Sequence, residues 1–265
     1  MNDRWADALA YDAFMGRWSR ELGRAFVPWL GVPQARHWLE IGCGTGALTR
    51  SICELTDPTS VVATDLSETF VSHARVHFPD PRVQYAVASM ATLPAWPSGY
   101  DAVASLLVLN FLPDPPAALG MMRDLSAAGG TVGACVWDYA DGMGMLRYFW
   151  DVAVELDPSV RELDEGVRFP ICSRSVLEAA FRGAGLSRVQ VEPLEIEMQF
   201  PSFEDYWRPF VGGTGPAPSY LSSLGVEHRG VLARRLQRRL PRARDGSISL
   251  PARAWAARGR REGTA

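Results

Sequence analysis

Apolar residues in the first half of the chain fall into short runs, each bounded by turn residues. Trp38-Leu39-Glu40-Ile41 stops at a glycine, Val61-Val62-Ala63-Thr64 stops at Asp65, and Ala102-Val103-Ala104-Ser105-Leu106 follows Gly99. Runs this short, bounded by Gly, Asp or Pro, read as buried strands. The pattern predicts strands near 36–41, 60–65, 82–87, 100–106 and 131–137 and helices near 46–55, 67–77 and 115–127. Upstream, Ser19 stands where a cap is wanted for a helix from Arg20 to Leu30, with Leu22, Ala25, Phe26 and Trp29 on one face. Downstream, a helix from Ser175 to about Gly183 and strands over 187–196 and 247–256 complete the set. Alternation of strand and helix builds a parallel sheet with helices on both faces.

Two segments break the alternation. Asp138 to Ser173 holds a helix rich in Met and aromatic residues, and Phe200 to Gly246 holds Trp207, Phe210, Tyr220 and the run Gly212-Gly213-Thr214-Gly215-Pro216-Ala217-Pro218. That run reads equally as a hinge or as an ordinary surface loop. Loops at the carboxyl edge of an open sheet are where ligands bind, so both segments read as a cap. The expected organisation is a single domain over 1–265. It comprises an N-terminal lid and helix (1–35), a ligand-binding core (36–137), cap insertions (138–173 and 200–246) and remaining sheet elements (174–199 and 247–265).

Composition narrows the class. With 265 residues, 47% of them hydrophobic, the chain can bury a large α/β core, and a net charge of −3 gives no general attraction to nucleic acid. No apolar run reaches the roughly 18 residues of a membrane span. The start of the chain is polar and lacks a signal-peptide core, and Cys43, Cys53, Cys135 and Cys172 have no paired spacing. A cytoplasmic protein with reduced thiols is expected. The exception to the charge balance is Arg229 to Arg261, rich in arginine. It reads either as a phosphate-tracking surface or, better, as a helix over 227–240 with Val231, Leu232, Leu236 and Leu240 inward.

The strongest chemical signal is Glu40-Ile41-Gly42-Cys43-Gly44-Thr45-Gly46, where the first strand breaks into a glycine turn and opens a helix. Glycines let a backbone approach a ligand closely, and the helix start offers free N–H groups. The spacing is Gly-x-Gly-x-Gly, unlike the dinucleotide fingerprint, and Glu40 would repel a pyrophosphate but suits a positively charged ligand. Asp65 follows about 20 residues later, where doubly wound sheets place the acid that holds ribose hydroxyls. Cys43 reads as a small filler of the turn.

These residues, with Val83 to Pro94, Gly99 to Leu106, Leu112-Pro113-Asp114-Pro115 and Gly129-Gly130-Thr131-Val132, resemble the class I S-adenosylmethionine-dependent methyltransferases. The resemblance runs over residues 36 to 137 and leans toward the small-molecule branch that includes the ubiquinone and menaquinone enzymes. It implies a Rossmann-like, seven-stranded, mostly parallel sheet whose last strand is antiparallel. It also implies S-adenosylmethionine as cofactor, with Glu40, Gly42, Cys43, Gly44 and Gly46 at its amino-acid end. Asp65 would bind the ribose and Leu66 one adenine face. Ser89 and Met90 would lie by the adenine, with Ser89 where the family usually has an acid, and the Leu106 carbonyl would meet the ammonium. Tyr11 and Arg17 are further cofactor candidates, Arg17 for the carboxylate.

Methyl transfer from a sulfonium needs alignment and desolvation more than acid–base chemistry, and no general base stands out. His73 and His77 lie four apart without a third ligand, so no metal is expected. Trp18, Asn110, Trp137, Tyr148, Trp207 and Phe210, with Trp5, are the candidates for contacting a small, largely apolar acceptor methylated on O, N or C. No nucleic acid partner is expected. Two rivals stay open: the same cofactor used for other chemistry, such as cyclisation or decarboxylation, and an RNA-associated protein using the basic region.

Overall fold

The computed structural model describes residues 11–93, 96–212 and 215–263; Trp5, Pro94, Gly213 and Thr214 lie outside them. Seven strands form the sheet: β1 (His37–Ile41), β2 (Ser60–Asp65), β3 (Val83–Val87), β4 (Tyr100–Leu106), β5 (Ser126–Trp137), β6 (Ser187–Phe200) and β7 (Ile248–Arg260). Their order is β3-β2-β1-β4-β5-β7-β6. β1 pairs in parallel with both β2 and β4, and β2–β3 and β4–β5 are also parallel. β7 runs antiparallel to β5: Gly129 N donates to Arg261 O at one end and Asp138 N to Arg253 O at the other. The expected Rossmann-like fold, mostly parallel with an antiparallel last strand, is the one observed.

Among the helices are α1 (Arg17–Leu30), α2 (Ala47–Thr56), α3 (Glu68–His77), α4 (Pro115–Leu125), α5 (Gly144–Leu156), α6 (Glu165–Arg168), α7 (Arg174–Gly183), α8 (Phe203–Gly212), α9 (Pro216–Ser223) and α10 (Val226–Arg239). Local chemistry sets several starts. Ser67 caps α3 by accepting from Phe70 N, and Asp114 caps α4 by accepting from Ala117 N ahead of two prolines. Ser19 is no cap. It is buried inside α1, which continues upstream into a π-helical stretch, Asp12–Gly16.

Three other boundaries differ from the sequence reading. β5 starts at Ser126 rather than near 131: Tyr100 of β4 is in register with Ser126, and Arg261 exchanges backbone hydrogen bonds with Gly129 and Gly130. β7 accordingly runs on to Arg260 through Gly259, and β6 extends to Phe200. The glycine–proline run is neither hinge nor plain loop at its far end. Gly215 precedes α9, and Pro216, Ala217 and Pro218 are buried in that helix.

The chain divides into two compact units. The core unit comprises Ser19–Val136, Ile171–Leu194 and Trp255–Ala265. In it α3 packs on β2 and β3, and α4 on β4 and α7. The aromatic unit comprises the chain up to Trp18, Trp137–Pro170 and Glu195–Ala254. There α5 packs against α9 and α10, and α8 against α9. The division runs inside α1, between Trp18 and Ser19.

In the core unit the apolar face of α1, with Leu22, Phe26 and Leu30 buried, meets β5 at Gly133. A Cβ there would run into Leu30 Cδ2 and come within 3.4 Å of Phe26 Cζ. Gly133→Val should therefore overpack this contact and destabilise the fold by about 1–3 kcal/mol. Thermal unfolding checks this, with an expected fall of roughly 2–4 °C per kcal/mol for a chain of this size.

Candidate active site

The strand order reverses beside β1: the chain leaves it toward β2 and β3, then returns on its other side as β4. Between the carboxyl ends of β1 and β4 this leaves the crevice where open α/β sheets bind ligands. The glycine turn occupies that position. Gly42, Gly44 and Gly46 all have left-handed backbones, with φ of 72°, 51° and 87°. Each has a different reason to lack a side chain. A Cβ on Gly42 would lie 2.5 Å from Val108 Cγ2, and one on Gly46 3.4 Å from Ala74 Cβ. A Cβ on Gly44 would meet nothing within 4 Å. Packing excludes a side chain at Gly42 and the left-handed backbone disfavours one at Gly46, whereas Gly44 turns open space toward the crevice.

Asp65, at the end of β2, fixes the turn. Its Oδ2 accepts from Gly44 N at 3.0 Å and its Oδ1 from Ser67 N at 2.9 Å. The carboxylate is half-buried, held by two backbone donors on its own unit. Leu66, next to it, is 72% exposed, an open apolar side chain at the same edge. Ser67 does the helix capping, which leaves the Asp65 carboxylate for the turn and for a ligand.

Glu40 is only 1% exposed and forms no ion pair among the described residues. Thr49 Oγ1, from α2, donates to its Oε2 at 2.5 Å, and Thr64 Oγ1 donates to its backbone carbonyl at 2.9 Å. Burial pushes the Glu40 carboxyl up to about 7; the Thr49 hydrogen bond opposes this and Asp65 adds to it. Glu40 is thus a buried acid with no base paired to it among the described residues. Thr49 and Thr64, which orient it, were not singled out from the sequence. The signal available was a Thr nine residues past the acid on the next helix.

At the end of β4, Leu106 is buried and Leu107 adopts a left-handed φ of 61°, its N–H donating to Cys135 O at 2.8 Å. A non-glycine residue held there stores strain of about 1–3 kcal/mol. The strained turn brings Val108 onto Gly42. It is followed by Asn110, only 6% exposed, whose amide oxygen and nitrogen both lack a hydrogen-bond partner among the described residues. Past β3, Ser89 and Met90 are half-buried; Ser89 Oγ lies 3.1 Å from Thr92 Oγ1, so the hydroxyl already has a neighbour. The structure thus brings Glu40, the glycine turn, Asp65, Leu66, Ser89, Met90, Leu106 and Asn110 to adjacent strand ends of one unit.

The remaining candidates belong to the aromatic unit. Arg17 pairs with Asp205 at 3.1 Å and lies over Trp18, 4.1 Å from the ring centre, so its guanidinium has a protein carboxylate of its own. Tyr11 is half-buried. Trp18 packs edge-on against Phe200, and Phe210 stacks on Phe149 with ring centres 4.7 Å apart; both are buried. Trp137 is buried with its indole N–H unpartnered. Tyr148 and Trp207 keep partial exposure, and Trp207 lines a groove of about 270 Å³ with Val211 and Leu221. The same unit holds a carboxyl that the sequence reading missed. Glu165 is buried, accepts from Trp150 Nε1 beside the Arg147–Asp164 pair, and is pushed up to about 7 by burial.

All four cysteines are buried and unbridged, and burial, followed by Glu40, raises the Cys43 thiol, which suits a filler. His73 and His77 stack on each other, and no group of three His, Cys, Asp or Glu residues converges among the described residues. In the basic stretch, Leu232, Leu236 and Leu240 are buried while Arg239 pairs with Asp151 and Glu155, and Arg253 with Asp138.

The two raised glutamates set a pH dependence. Between about 4.5, the ordinary glutamate value, and about 7, the folded chain holds protons that the unfolded chain has released. Stability should therefore fall as pH rises through that window. Glu40→Gln removes one contribution, on the order of 2–3 kcal/mol. Unfolding curves at pH 5 and 7.5 should converge less in the wild type than in the variant; equal slopes would mean that Glu40 is solvated and ionised.

Residues 39–132, about a third of the chain, match the family model described as a methyltransferase domain. Ubiquinone biosynthesis O-methyltransferase of Xanthomonas campestris pv. campestris is 36% identical over 106 residues, covering 39% of this chain and 43% of that protein. Malonyl-(acyl-carrier protein) O-methyltransferase of Hahella chejuensis is 32% identical over 114 residues, covering 42% and 40%. The chain thus matches less than half the length of these relatives. Among solved structures, phosphoethanolamine N-methyltransferase 2 of Haemonchus contortus, in complex with phosphomonomethylethanolamine and S-adenosylhomocysteine, has a TM-score of 0.60 at 17% identity. It covers 97% of this chain and 57% of that one, a likeness of fold. With the glycine turn, its two acids and the strand order of the sheet, these matches make the chain similar to methyltransferases over residues 39–132 and give it the fold of methyltransferase structures.

Proposed function

We propose that the protein transfers a methyl group from S-adenosylmethionine to an O, N or C atom of a small organic acceptor. The observation that carries this reading is the crevice at β1 and β4, where a buried acid without a base stands behind a left-handed glycine that faces open space. Bound there, S-adenosylmethionine supplies a methyl group already activated on a sulfonium. The residues present fit it. Glu40 balances the ammonium, Gly44 admits the amino-acid end, Asp65 accepts from the ribose hydroxyls, and exposed Leu66 covers one adenine face. Ser89 and Met90 flank the ring, with a hydroxyl in place of the usual acid. The Leu106 carbonyl accepts from the ammonium.

The protein's task is to align and desolvate the reacting atoms. The unpartnered Asn110 amide is proposed to orient the acceptor, since a buried amide without a partner costs about 1–3 kcal/mol until something bonds it.

Asp65→Ala should weaken S-adenosylmethionine and S-adenosylhomocysteine alike, by about 2–3 kcal/mol, because both carry the ribose. Calorimetry checks this, and normal affinity would leave Asp65 only the task of anchoring the turn. With a panel of phenols, amines and carboxylic acids, turnover should release S-adenosylhomocysteine in step with product, survive a chelator, and show a raised acceptor KM in Asn110→Ala. Product formed without S-adenosylhomocysteine would instead support cofactor-assisted chemistry without methyl transfer.

A further inference from the structure

The core unit holds a second cleft, at the opposite end of its strands from the glycine turn. Its lining includes Thr131 of β5, Arg188 and Gln190 near the start of β6, and Arg258 and Arg260 at the end of β7; its volume is about 550 Å³. Because β7 runs antiparallel to β5, its last residues lie at the amino end of the parallel strands, whereas Gly42 to Gly46 follow a carboxyl end.

Three guanidinium groups line this cleft, and no acid does. Several other arginines of this chain are neutralised: Arg82 by Asp80 and Asp57, Arg147 by Asp164, Arg253 by Asp138. The partners of the cleft arginines are all uncharged. Arg258 Nε donates to Gln190 Oε1 at 2.9 Å, its Nη1 donates to Trp29 O, and its guanidinium lies over the Trp29 ring at 4.9 Å. Arg260 Nη1 donates to Gly129 O at 3.1 Å. These contacts hold two planar forks in place without cancelling their charge. Arg188 is exposed, its guanidinium has no hydrogen bond or ion pair among the described residues, and it sits at a left-handed φ of 51°. Thr131 adds an independent signal. It is 2% exposed, lines the same cleft, and its hydroxyl has no partner among the described residues.

Ordered guanidinium forks beside an unpaired hydroxyl make a receptor for oxyanions, and phosphate oxygens match the fork best. Three positive charges and this volume exceed what one carboxylate or one orthophosphate needs. We infer that the cleft binds a small diphosphate-bearing ligand, at a site separate from the glycine turn.

Inorganic pyrophosphate is the probe, titrated by calorimetry into the full chain. Binding should be saturable, weaken with added salt, and exceed the affinity for orthophosphate and for citrate at least tenfold. Arg188→Ala, an exposed and unpartnered position, should lower the affinity about tenfold, and Arg188→Ala with Arg260→Gln about a hundredfold. Thr131→Val should lower it several-fold without loss of thermal stability. S-adenosylhomocysteine affinity should stay unchanged in all three. Failure of the wild type to bind pyrophosphate, equal binding by the double variant, preference for citrate, or tighter binding of a single-stranded RNA would each overturn the assignment. Parallel loss of S-adenosylhomocysteine binding would overturn the separateness of the site.

Discussion

The reversal of strand order at β1 is the constraint from which the site follows. A strand with parallel neighbours on both sides, whose connections leave in opposite directions, cannot have its carboxyl end covered by its own crossover helices. Whatever residues follow β1 are therefore left facing a crevice. In this chain they are Gly42 to Gly46, tied to the end of β2 through the Asp65 carboxylate and pressed against Val108 from the turn after β4. One hydrogen bond and one close glycine contact thus lock three strand ends into a single surface.

Burial then determines what that surface attracts. Glu40 is removed from water without a counter-charge, so the structure holds an electrostatic demand that a cation relieves. Asn110 carries a comparable demand in its unpaired amide. Buried polar groups are ordinarily satisfied inside a protein, so an unpaired amide in a crevice is a place for a ligand to bond. The strained Leu107 belongs to the same pattern, since backbone strain of this kind gathers where geometry serves function.

Arginine serves two ends in the fold. In the aromatic unit it is structural: Arg17, Arg147, Arg239 and Arg253 each meet a carboxylate, and their charges are consumed in holding helices and strand ends. At the amino edge of the core unit the arginines meet carbonyls, an amide and an indole face, which fix position but leave charge. Composition alone cannot distinguish these uses, because the discriminating quantity is the sign of the neighbour.

Read alone, the sequence determined the strand–helix alternation, the place of the glycine turn and the identity of its acids. These depend on period and on local steric rules: Gly where φ is positive, a short apolar run where a strand is buried, Asp or Ser where a helix starts. It determined less wherever a residue's state depends on a distant partner. β5 begins at Ser126 because Tyr100 of β4 pairs there and Arg261 holds Gly129 and Gly130, and Ser19 fails as a cap because the chain before it is already helical. Which aromatics are core and which keep an open edge was likewise decided by tertiary packing: Phe210 and Tyr148 look alike in a window of sequence, but only Phe210 stacks on Phe149 and is buried. The orphaned Asn110 amide and the unneutralised arginines are products of tertiary structure in the same sense. A missing partner is a fact about neighbours in space, and no local pattern records it.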